Sequence, residues 1–432
     1  MKRIPLVLAF LSAFIAGKAQ DNVYPAPDQQ EPIALTGGTV HVGNGQVIEN
    51  GTIIFSNGKI TEVGTNLNTS GAKVIDCSGR HIYPGLISPV TDLGLNEIGA
   101  VRASRDVTEL GENNASVRSI VAYAADSRVI NTLRSNGILL ANVVPRGGII
   151  SGSSSVVQLD AWNWEDAVYR MDGGIHFRMP SLAPQRRFGN FQSTLQPQVD
   201  PVRAAFERID RVRSFFREAQ AYFAEPKHAQ TNLKFEAVKG LFNKTANFYI
   251  HCELVKEIMV AVEFAREFGF NTVLVGGSDS WRVSDYLKQN NISVILNESH
   301  SLPVTADDDV DQPYKTPFQL QQAGVLFCIS DQDDNTRGRN LMFNAGTAAA
   351  YGLTREQALQ AITLNAAKIL GIDAKTGSLE KGKDANIVIS EGDILDMKTS
   401  KVTAAFIQGR TIDLTDKHKQ LYERYKHKYQ LN

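Results

Sequence analysis

Three polar residues stand at the ends of apolar, strand-like runs, where side chains can do chemistry. His251 lies in the run 248–252, Asp331 follows the run 325–329, and Asp92 follows a third apolar run. Imidazole and carboxylate groups bind divalent metal ions and transfer protons. Two of them also have a structural interpretation, His251 as a buried, hydrogen-bonded residue and Asp331 as a cap on the following helix.

Two loops carry further polar groups that could contact a ligand. Glu298 and His300 lie in a loop that continues into an acidic cluster at 307–311. Its carboxylates could face Ca²⁺ or a basic ligand, although runs of like charge are usually solvated. The glycine-rich run 145–153 could cradle an anion with its backbone N–H groups. It lacks the lysine spacing of a phosphate loop, so a tight turn between strands is the alternative.

The elements that must position these residues change character along the chain. Within residues 21–83, short strands are broken by Asn-Gly pairs, which signal hairpins because both turn residues need positive φ. A Gly-Gly pair at 37–38 predicts another turn. Strand-like runs return at 384–389 and 402–407. Both chain ends are therefore predicted to build one composite β-sandwich, from 21–83 and 376–415.

Between these ends, residues 84–375 alternate apolar, β-rich runs with helical stretches. Such alternation predicts an α/β fold of parallel βα units, most simply a (β/α)8 TIM barrel. A charged helical segment at about 196–245 is predicted to be an insertion between the fourth and fifth strands. Residues 416–432 are predicted to form a terminal helix. The predicted strands include 138–144, 155–159, 248–252, 272–275, 293–296 and 325–329.

The first twenty residues are predicted to be a secretory signal. A positive start precedes an apolar run from Ile4 to Ala16, and the small residues Gly17 and Ala19 follow it. The run is too short to cross a bilayer as a helix, and an uncleaved anchor is the alternative. The mature protein is therefore expected to be exported, periplasmic or secreted, and soluble.

Composition narrows the possible partners. Forty-five basic and 46 acidic side chains nearly balance, which does not indicate a nucleic-acid partner. No later stretch is apolar enough to predict a membrane partner. Three cysteines are few and odd in number, so buried free thiols are expected in place of a disulfide framework.

Several segments resemble the amidohydrolase superfamily, in the branch with imidazolonepropionase-like and dipeptidase-like members. The N-terminal segments are Leu-Thr-Gly-Gly-Thr-Val at 35–40, Gly-Lys-Ile-Thr-Glu-Val-Gly at 58–64, Val-Ile-Asp-Cys-Ser-Gly-Arg at 74–80 and Tyr-Pro-Gly-Leu-Ile at 83–87. The C-terminal segments are Ala-Ile-Thr-Leu-Asn-Ala-Ala-Lys-Ile-Leu-Gly at 361–371 and Gly-Ser-Leu-Glu-Lys-Gly-Lys-Asp-Ala-Asn at 377–386. These are scaffold motifs, so they identify the fold and say little about chemistry.

The resemblance implies a metal-dependent hydrolase and implies where its ligands lie. In this family a His-x-His pair follows the first barrel strand, but those positions here hold Val90 and Asp92. Val90 has no donor atom, whereas Asp92 could bind a hard cation. The histidine expected after the sixth strand is absent at 274–278. His251 matches the fifth-strand ligand, and Asp331 matches the aspartate that binds metal and takes a proton from the attacking water.

The ligand set that remains is small. Asp92, His251 and Asp331 would form a carboxylate-rich trio, whereas a catalytic zinc normally has three protein ligands and a water. The expected cofactor is therefore a divalent metal, zinc first, or none. Three further histidines lie outside the predicted strand ends and are expected to be structural: His41, His81 and His176.

Three hypotheses remain open. In the first, the chain is nominally a hydrolase of C–N bonds other than ordinary peptide bonds, and its two-metal site is incomplete and its catalysis impaired or lost. In the second, it is an active single-metal hydrolase that uses His251 and Asp331. In the third, it has a non-catalytic role, as a partner subunit of an active paralogue or as a purely structural or assembly barrel. The expected ligand is a small amide, cyclic or dipeptide-like molecule, and homo-oligomers or hetero-oligomers are both compatible with the resemblance.

Overall fold

The computed structural model describes residues 24–183, 200–332 and 337–431. The predicted secretory signal and the first part of the predicted insertion, 196–199, lie outside the described residues. Strands form two sheets, one from the chain ends and one from the middle of the chain. Within the described ranges, no helix combines the length and the apolar composition that crossing a bilayer requires.

The two chain ends share one eight-stranded sheet. Its strands are β1 (Ile33–His41), β2 (Val47–Ser56), β3 (Lys59–Gly64), β4 (Lys73–Asp76), β5 (His81–Pro84), β14 (Ile387–Ser390), β15 (Val402–Ile407) and β16 (Arg410–Thr411). They pair in the order β16-β15-β14-β5-β1-β2-β3, and β4 pairs with β1. The antiparallel pairing of β14 with β5 joins the C-terminal strands to the N-terminal ones.

Two glycine-containing pairs in this sheet behave differently. Asn57 and Gly58 form the predicted hairpin between β2 and β3, with φ of 50° and 76°. The pair at 37–38 does not form the predicted turn. β1 runs through it, and its register against β2 shifts on either side of Gly38. The turn prediction is wrong there because a glycine at positive φ can make a bulge without ending the strand.

The middle of the chain forms the predicted α/β barrel sheet. Its strands are β6 (Leu86–Thr91), β7 (Ile138–Val143), β8 (Ile150–Gln158), β9 (Val168–Arg178), β10 (Asn247–Cys252), β11 (Thr272–Gly276), β12 (Ser293–Leu296) and β13 (Phe327–Ile329). Neighbours in the sheet follow chain order. Five pairs are parallel, but β8 is antiparallel to both β7 and β9. The expectation of uniformly parallel βα units therefore fails at β8, whose start lies beside the end of β9.

Helices cover the barrel and extend from it. The helices of the described residues are α1 (Arg128–Arg134), α2 (Trp164–Ala167), α3 (Pro201–Ala224), α4 (Leu233–Phe242), α5 (Val255–Phe268), α6 (Ser284–Gln289), α7 (Gln312–Ala323), α8 (Leu341–Ala350), α9 (Arg355–Ala361), α10 (Leu364–Leu370) and α11 (Lys417–Lys428). Short 3-10 helices lie at Arg102–Ser104, Ser119–Ala122, Ser280–Val283 and Gly338–Asn340. The helices α3 and α4 fall between β9 and β10, where the insertion is predicted, and α11 lies where the terminal helix is predicted.

The inserted helix α3 is fixed to the barrel by one apolar face. Asp200 caps its first turn by accepting a hydrogen bond from the Val202 N–H at 3.0 Å. Phe216 is fully buried, and its ring centroid lies 5.3 Å from that of Phe248 on β10 and 5.2 Å from that of Phe270. The aromatic packing therefore holds a mostly charged helix against the barrel wall.

Replacing Phe216 should loosen this attachment. We expect Phe216→Ala to lower the free energy of unfolding by about 3–5 kcal/mol, because it removes a buried ring and leaves a cavity. Phe206→Ala, on the same helix at a position that is 43% exposed, is the matched control and should change it by about 0.5 kcal/mol or less. Urea unfolding followed by circular dichroism measures both, and equal losses would contradict the assigned packing.

Candidate functional site

The carboxyl ends of the barrel strands and the loop leading into β8 together form what we call the barrel mouth. Because parallel strands present their carboxyl ends at one edge, the residues that follow them gather there. These residues are Asp92 after β6, Arg146 after β7, Arg178 at the end of β9, His251 and Glu253 at the end of β10, Asn297 after β12 and Asp331 after β13.

His251 is held between two hydrogen-bonding partners. Its Nε2 lies 2.9 Å from Nδ1 of His176, and its Nδ1 lies 3.4 Å from Nη1 of Arg178. A guanidinium can only donate, so Nδ1 of His251 accepts and Nε2 donates its proton to His176. Burial, and then the charge of Arg178, lower the pKa of both His251 and His176 well below the usual value. The pair is therefore neutral at neutral pH.

His176 lies inside the barrel, on a strand that the sequence patterns do not predict. The expectation that it lies outside the strand ends is wrong, since it sits near the end of β9 and pairs with His251. Its ring is fully buried and stacks on Tyr249 with centroids 4.6 Å apart. Its Nε2 has no hydrogen-bond partner among the residues that the structure describes. Leaving such a buried polar group without a hydrogen bond costs about 1–3 kcal/mol of folding free energy. The histidine pair therefore lowers the stability of the barrel interior.

Two arginines reach the barrel mouth beside this pair. Arg178 donates from Nε to the Ser151 hydroxyl at 3.2 Å and from Nη2 to the Pro145 carbonyl at 3.5 Å. Arg146 lies 3.4 Å from a carboxylate oxygen of Asp92. Burial, followed by the charge of Arg146, lowers the pKa of Arg178 to about 10. Arg178 therefore remains charged at neutral pH.

The glycine-rich run 145–153 carries Arg146 and Ser151 to the barrel mouth. Gly147 has a φ of 96°, which side-chain-bearing residues rarely adopt, and it turns the chain back after β7. From Ile150 onward the run belongs to β8. The predicted tight turn therefore covers only its first residues, and the run places Arg146 and Ser151 beside the end of β9.

Asp331 is buried at the end of β13. Its side chain is 3% exposed and accepts a hydrogen bond from Asn344 Nδ2 at 3.4 Å, and Nη2 of Arg337 lies 4.0 Å away. Glu298 pairs with the same guanidinium at 3.0 Å. The predicted general base and one of the two predicted substrate-loop residues thus share one arginine. Both carboxylates therefore face the same positive charge.

His300, the other substrate-loop residue, contacts a helix rather than the barrel interior. Its ring Nε2 lies 2.7 Å from the Thr347 hydroxyl on α8, and its backbone N–H donates to Asn344 Oδ1 at 3.1 Å. The side chain borders a surface cavity that also contacts Phe343 and Met397. His300 is therefore turned toward α8.

The acidic cluster is only partly solvated. Asp308 is nearly buried and pairs with Arg282. Lys315 lies 3.0 Å from Asp309 and 2.6 Å from Asp311. The interpretation of this segment as a solvated loop is therefore wrong for Asp308, because the side chain of Arg282 neutralises it.

A hydrogen-bonded network around Glu253 is missed by the sequence analysis. The carboxylate accepts from the Ser278 N–H at 3.1 Å, from the Ser278 hydroxyl at 2.6 Å and from Asn297 Nδ2 at 2.8 Å. Gln332 donates in turn to Asn297 Oδ1 at 2.6 Å. Burial nevertheless raises the pKa of Glu253. A Cβ on Gly276 would meet this carboxylate at 2.2 Å, so the glycine makes room for it.

The residues at the barrel mouth do not fit a catalytic metal ion. In the ranges that the structure describes, no three or more His, Cys, Asp or Glu side chains are arranged to hold one. Asp92, His251 and Asp331 are not grouped in this way, and their role as metal ligands stays a prediction. One ring nitrogen of His251 faces His176 and the other faces the guanidinium of Arg178. A divalent cation bound to Nδ1 would have to displace a positive charge already there.

Lowering the pH should destabilise the protein through the histidine pair. Their lowered pKa keeps both imidazoles neutral when folded, whereas the unfolded chain takes up protons below about pH 6.5. The free energy of unfolding should therefore fall by up to about 1.4 kcal/mol per pH unit for each imidazole as the pH drops below that value. Urea unfolding at several pH values measures the slope, which should be shallower for His251→Gln. A His251 NMR signal titrating near pH 6.5 would contradict the neutral pair.

Comparisons with known proteins agree with the fold and with the scaffold motifs. The family model described as the amidohydrolase family matches residues 320–412. The amidohydrolase tasK of Hapsidospora irregularis is 21% identical over 373 residues, 77% of this chain and 36% of that protein. An imidazolonepropionase of Thermoplasma volcanium is 38% identical over 86 residues, 19% of this chain and 21% of that protein. The matches thus span about a third or less of these relatives' lengths.

Solved structures share the whole architecture. An amidohydrolase from Thermotoga maritima superposes with a TM-score of 0.75 at 24% identity, covering 88% of this chain and 99% of that one. A Xaa-Pro dipeptidase with bound methionine gives a TM-score of 0.52 at 13% identity, covering 88% of this chain and all of that one. The matched C-terminal segment supports membership of the amidohydrolase superfamily, and the composite sheet with its eight-stranded barrel shows the fold of the solved amidohydrolase.

Proposed function

We propose that this chain is a ligand-binding amidohydrolase barrel that has lost metal-dependent hydrolysis. Its ligand is a small amide, cyclic or dipeptide-like molecule that enters the barrel mouth. The observation that carries this proposal is the guanidinium of Arg178 at 3.4 Å from Nδ1 of His251. A cationic donor occupies the nitrogen that a metal ligand would need to keep open.

Charge and coordination chemistry together support the loss of hydrolysis. A catalytic zinc site keeps three protein ligands and one open position, and its water becomes a nucleophile because the metal lowers its pKa. Val90 offers no donor atom, and Asp92 is engaged by Arg146 at 3.4 Å. Without an activated water, Asp331 has no nucleophile to deprotonate.

The place and class of the ligand follow from the fold. Ligands of α/β barrels bind at the carboxyl ends of the strands, which is where the polar residues of this chain gather. A Xaa-Pro dipeptidase of similar fold holds methionine in its active site. We extend that ligand class, small and dipeptide-like, to this chain. We also propose that the protein acts outside the cytoplasm, which the secretory pattern of residues 1–20 supports.

An active single-metal hydrolase is the second candidate. It is favoured by the position of His251 and Asp331 at the ends of β10 and β13, where that chemistry would need them. It requires Arg178 to move away from His251 when a metal binds. A partner subunit of an active paralogue would use the same inactive barrel and is compatible with the first proposal.

Metal content separates the two candidates. The chain is purified without chelators, incubated with zinc or manganese, desalted and analysed by mass spectrometry, then assayed on a panel of amides, lactams and dipeptides. We expect far less than one metal per chain and no turnover, because the arginine repels the ion. His251→Ala and Asp331→Ala should change neither result, and His300→Ala is the matched control. Near-stoichiometric metal that His251→Ala or Asp331→Ala removes, and His300→Ala retains, would establish the hydrolase instead.

A further inference from the structure

We propose that Arg178 and Arg146 form a receptor for a carboxylate group of the ligand, so that a fixed organic cation stands where the family's metal would stand. This inference rests on the proposed function, since it names the chemistry that the barrel mouth recognises. The receptor consists of Arg178, Arg146 and the Ser151 hydroxyl.

Arg178 is a partly buried cation whose contacts are all neutral. Its three guanidinium nitrogens face the Ser151 hydroxyl, the Pro145 carbonyl and Nδ1 of His251. No carboxylate of the described residues lies within 4.0 Å of it. Buried charges in proteins are normally paired. The buried Arg134 of this chain follows that rule and pairs with Asp160.

Arg146 adds a second positive charge to the same place. It directly follows Pro145, whose carbonyl accepts a hydrogen bond from Nη2 of Arg178 at 3.5 Å. Its charge also helps to lower the pKa of the Arg178 guanidinium. Asp92, the carboxylate beside Arg146, balances one of the two cations. Arg178, Arg146 and Asp92 together therefore carry one excess positive charge. One ligand carboxylate would neutralise that excess.

The hydrogen-bonding capacity of Arg178 is also incompletely used. A guanidinium has five N–H donors in a planar fork that matches the two oxygens of a carboxylate. Its three contacts here are long, between 3.2 and 3.5 Å. Charge-assisted bonds to a carboxylate are shorter, about 2.7–2.9 Å, and stronger. A carboxylate would therefore displace these contacts, whereas a neutral amide would leave the charge uncompensated.

The test compares a carboxylate with its neutral isostere on the full chain. N-acetyl-L-alanine and N-acetyl-L-alaninamide are titrated by calorimetry, with inorganic phosphate as a tetrahedral anion. We expect the carboxylate to bind about tenfold or more tightly than the amide, and more weakly as salt is added. Arg178→Gln and Arg146→Gln should remove most of that preference. Arg203→Gln, at an exposed arginine of α3, is the matched control and should retain it.

Equal binding of carboxylate and amide, tighter binding of phosphate, or an unchanged preference in Arg178→Gln would overturn the proposal. A folding defect cannot mimic success, because Arg178→Gln removes an uncompensated charge and should melt at or above the wild-type temperature. If it does not fold, Arg146→Gln, at a position 41% exposed, is the deciding variant.

Bound carboxylate should also raise the pKa of His251 toward its usual value. NMR measures this change, and a purely structural Arg178 would not cause it. Arg178-dependent binding in a chain that also holds stoichiometric metal would uphold this receptor and refute only the loss of hydrolysis.

Discussion

The contact between the guanidinium of Arg178 and the neutral imidazole of His251 determines which reactions and ligands the barrel mouth can accommodate. Arg178 donates toward Nδ1 of His251, and this direction fixes the proton of His251 on Nε2 and its hydrogen bond to His176. The His176 ring is fully buried and the His251 ring is half-buried, and protonation of either beside Arg178 would place like charges together. Neither imidazole can then act as an open metal ligand without rearrangement. This arrangement is what favours the proposed recognition of a ligand through positive charge and hydrogen bonds.

The reversed strand β8 makes this arrangement possible. In a uniformly parallel barrel, the residues that start each strand lie at the end opposite the site. Here β8 begins at the barrel mouth, so the segment that enters it supplies Arg146 and Ser151 to the same edge that β9 supplies with Arg178. A local change of strand direction has therefore delivered a cluster of donors that strand ends alone would not provide.

The sequence predicts the parts of this structure whose signals are local. Asn57 and Gly58 specify a hairpin by their backbone conformations, and continuous apolar runs identify barrel strands because both faces of those strands are buried. The strand β9 is not predicted because Asp172 and two glycines interrupt its apolar pattern. The role of Arg178 is not predicted for a different reason. An arginine read alone suggests a solvated surface, and only the tertiary fold shows that it faces His251 and Ser151 without a carboxylate partner.

The separation between scaffold and mouth explains how family motifs can persist while the chemistry changes. The barrel wall is stabilised by rings such as Phe216, Phe248 and Phe270, which pack away from the strand ends. The mouth is built from polar contacts, including the Glu253 network, that add little apolar burial. Substitutions there alter charge and hydrogen bonding without opening cavities in the core. Under the proposed function, an arginine therefore replaces a metal ion while the barrel stays intact, and the ligand carboxylate balances the charge of that arginine.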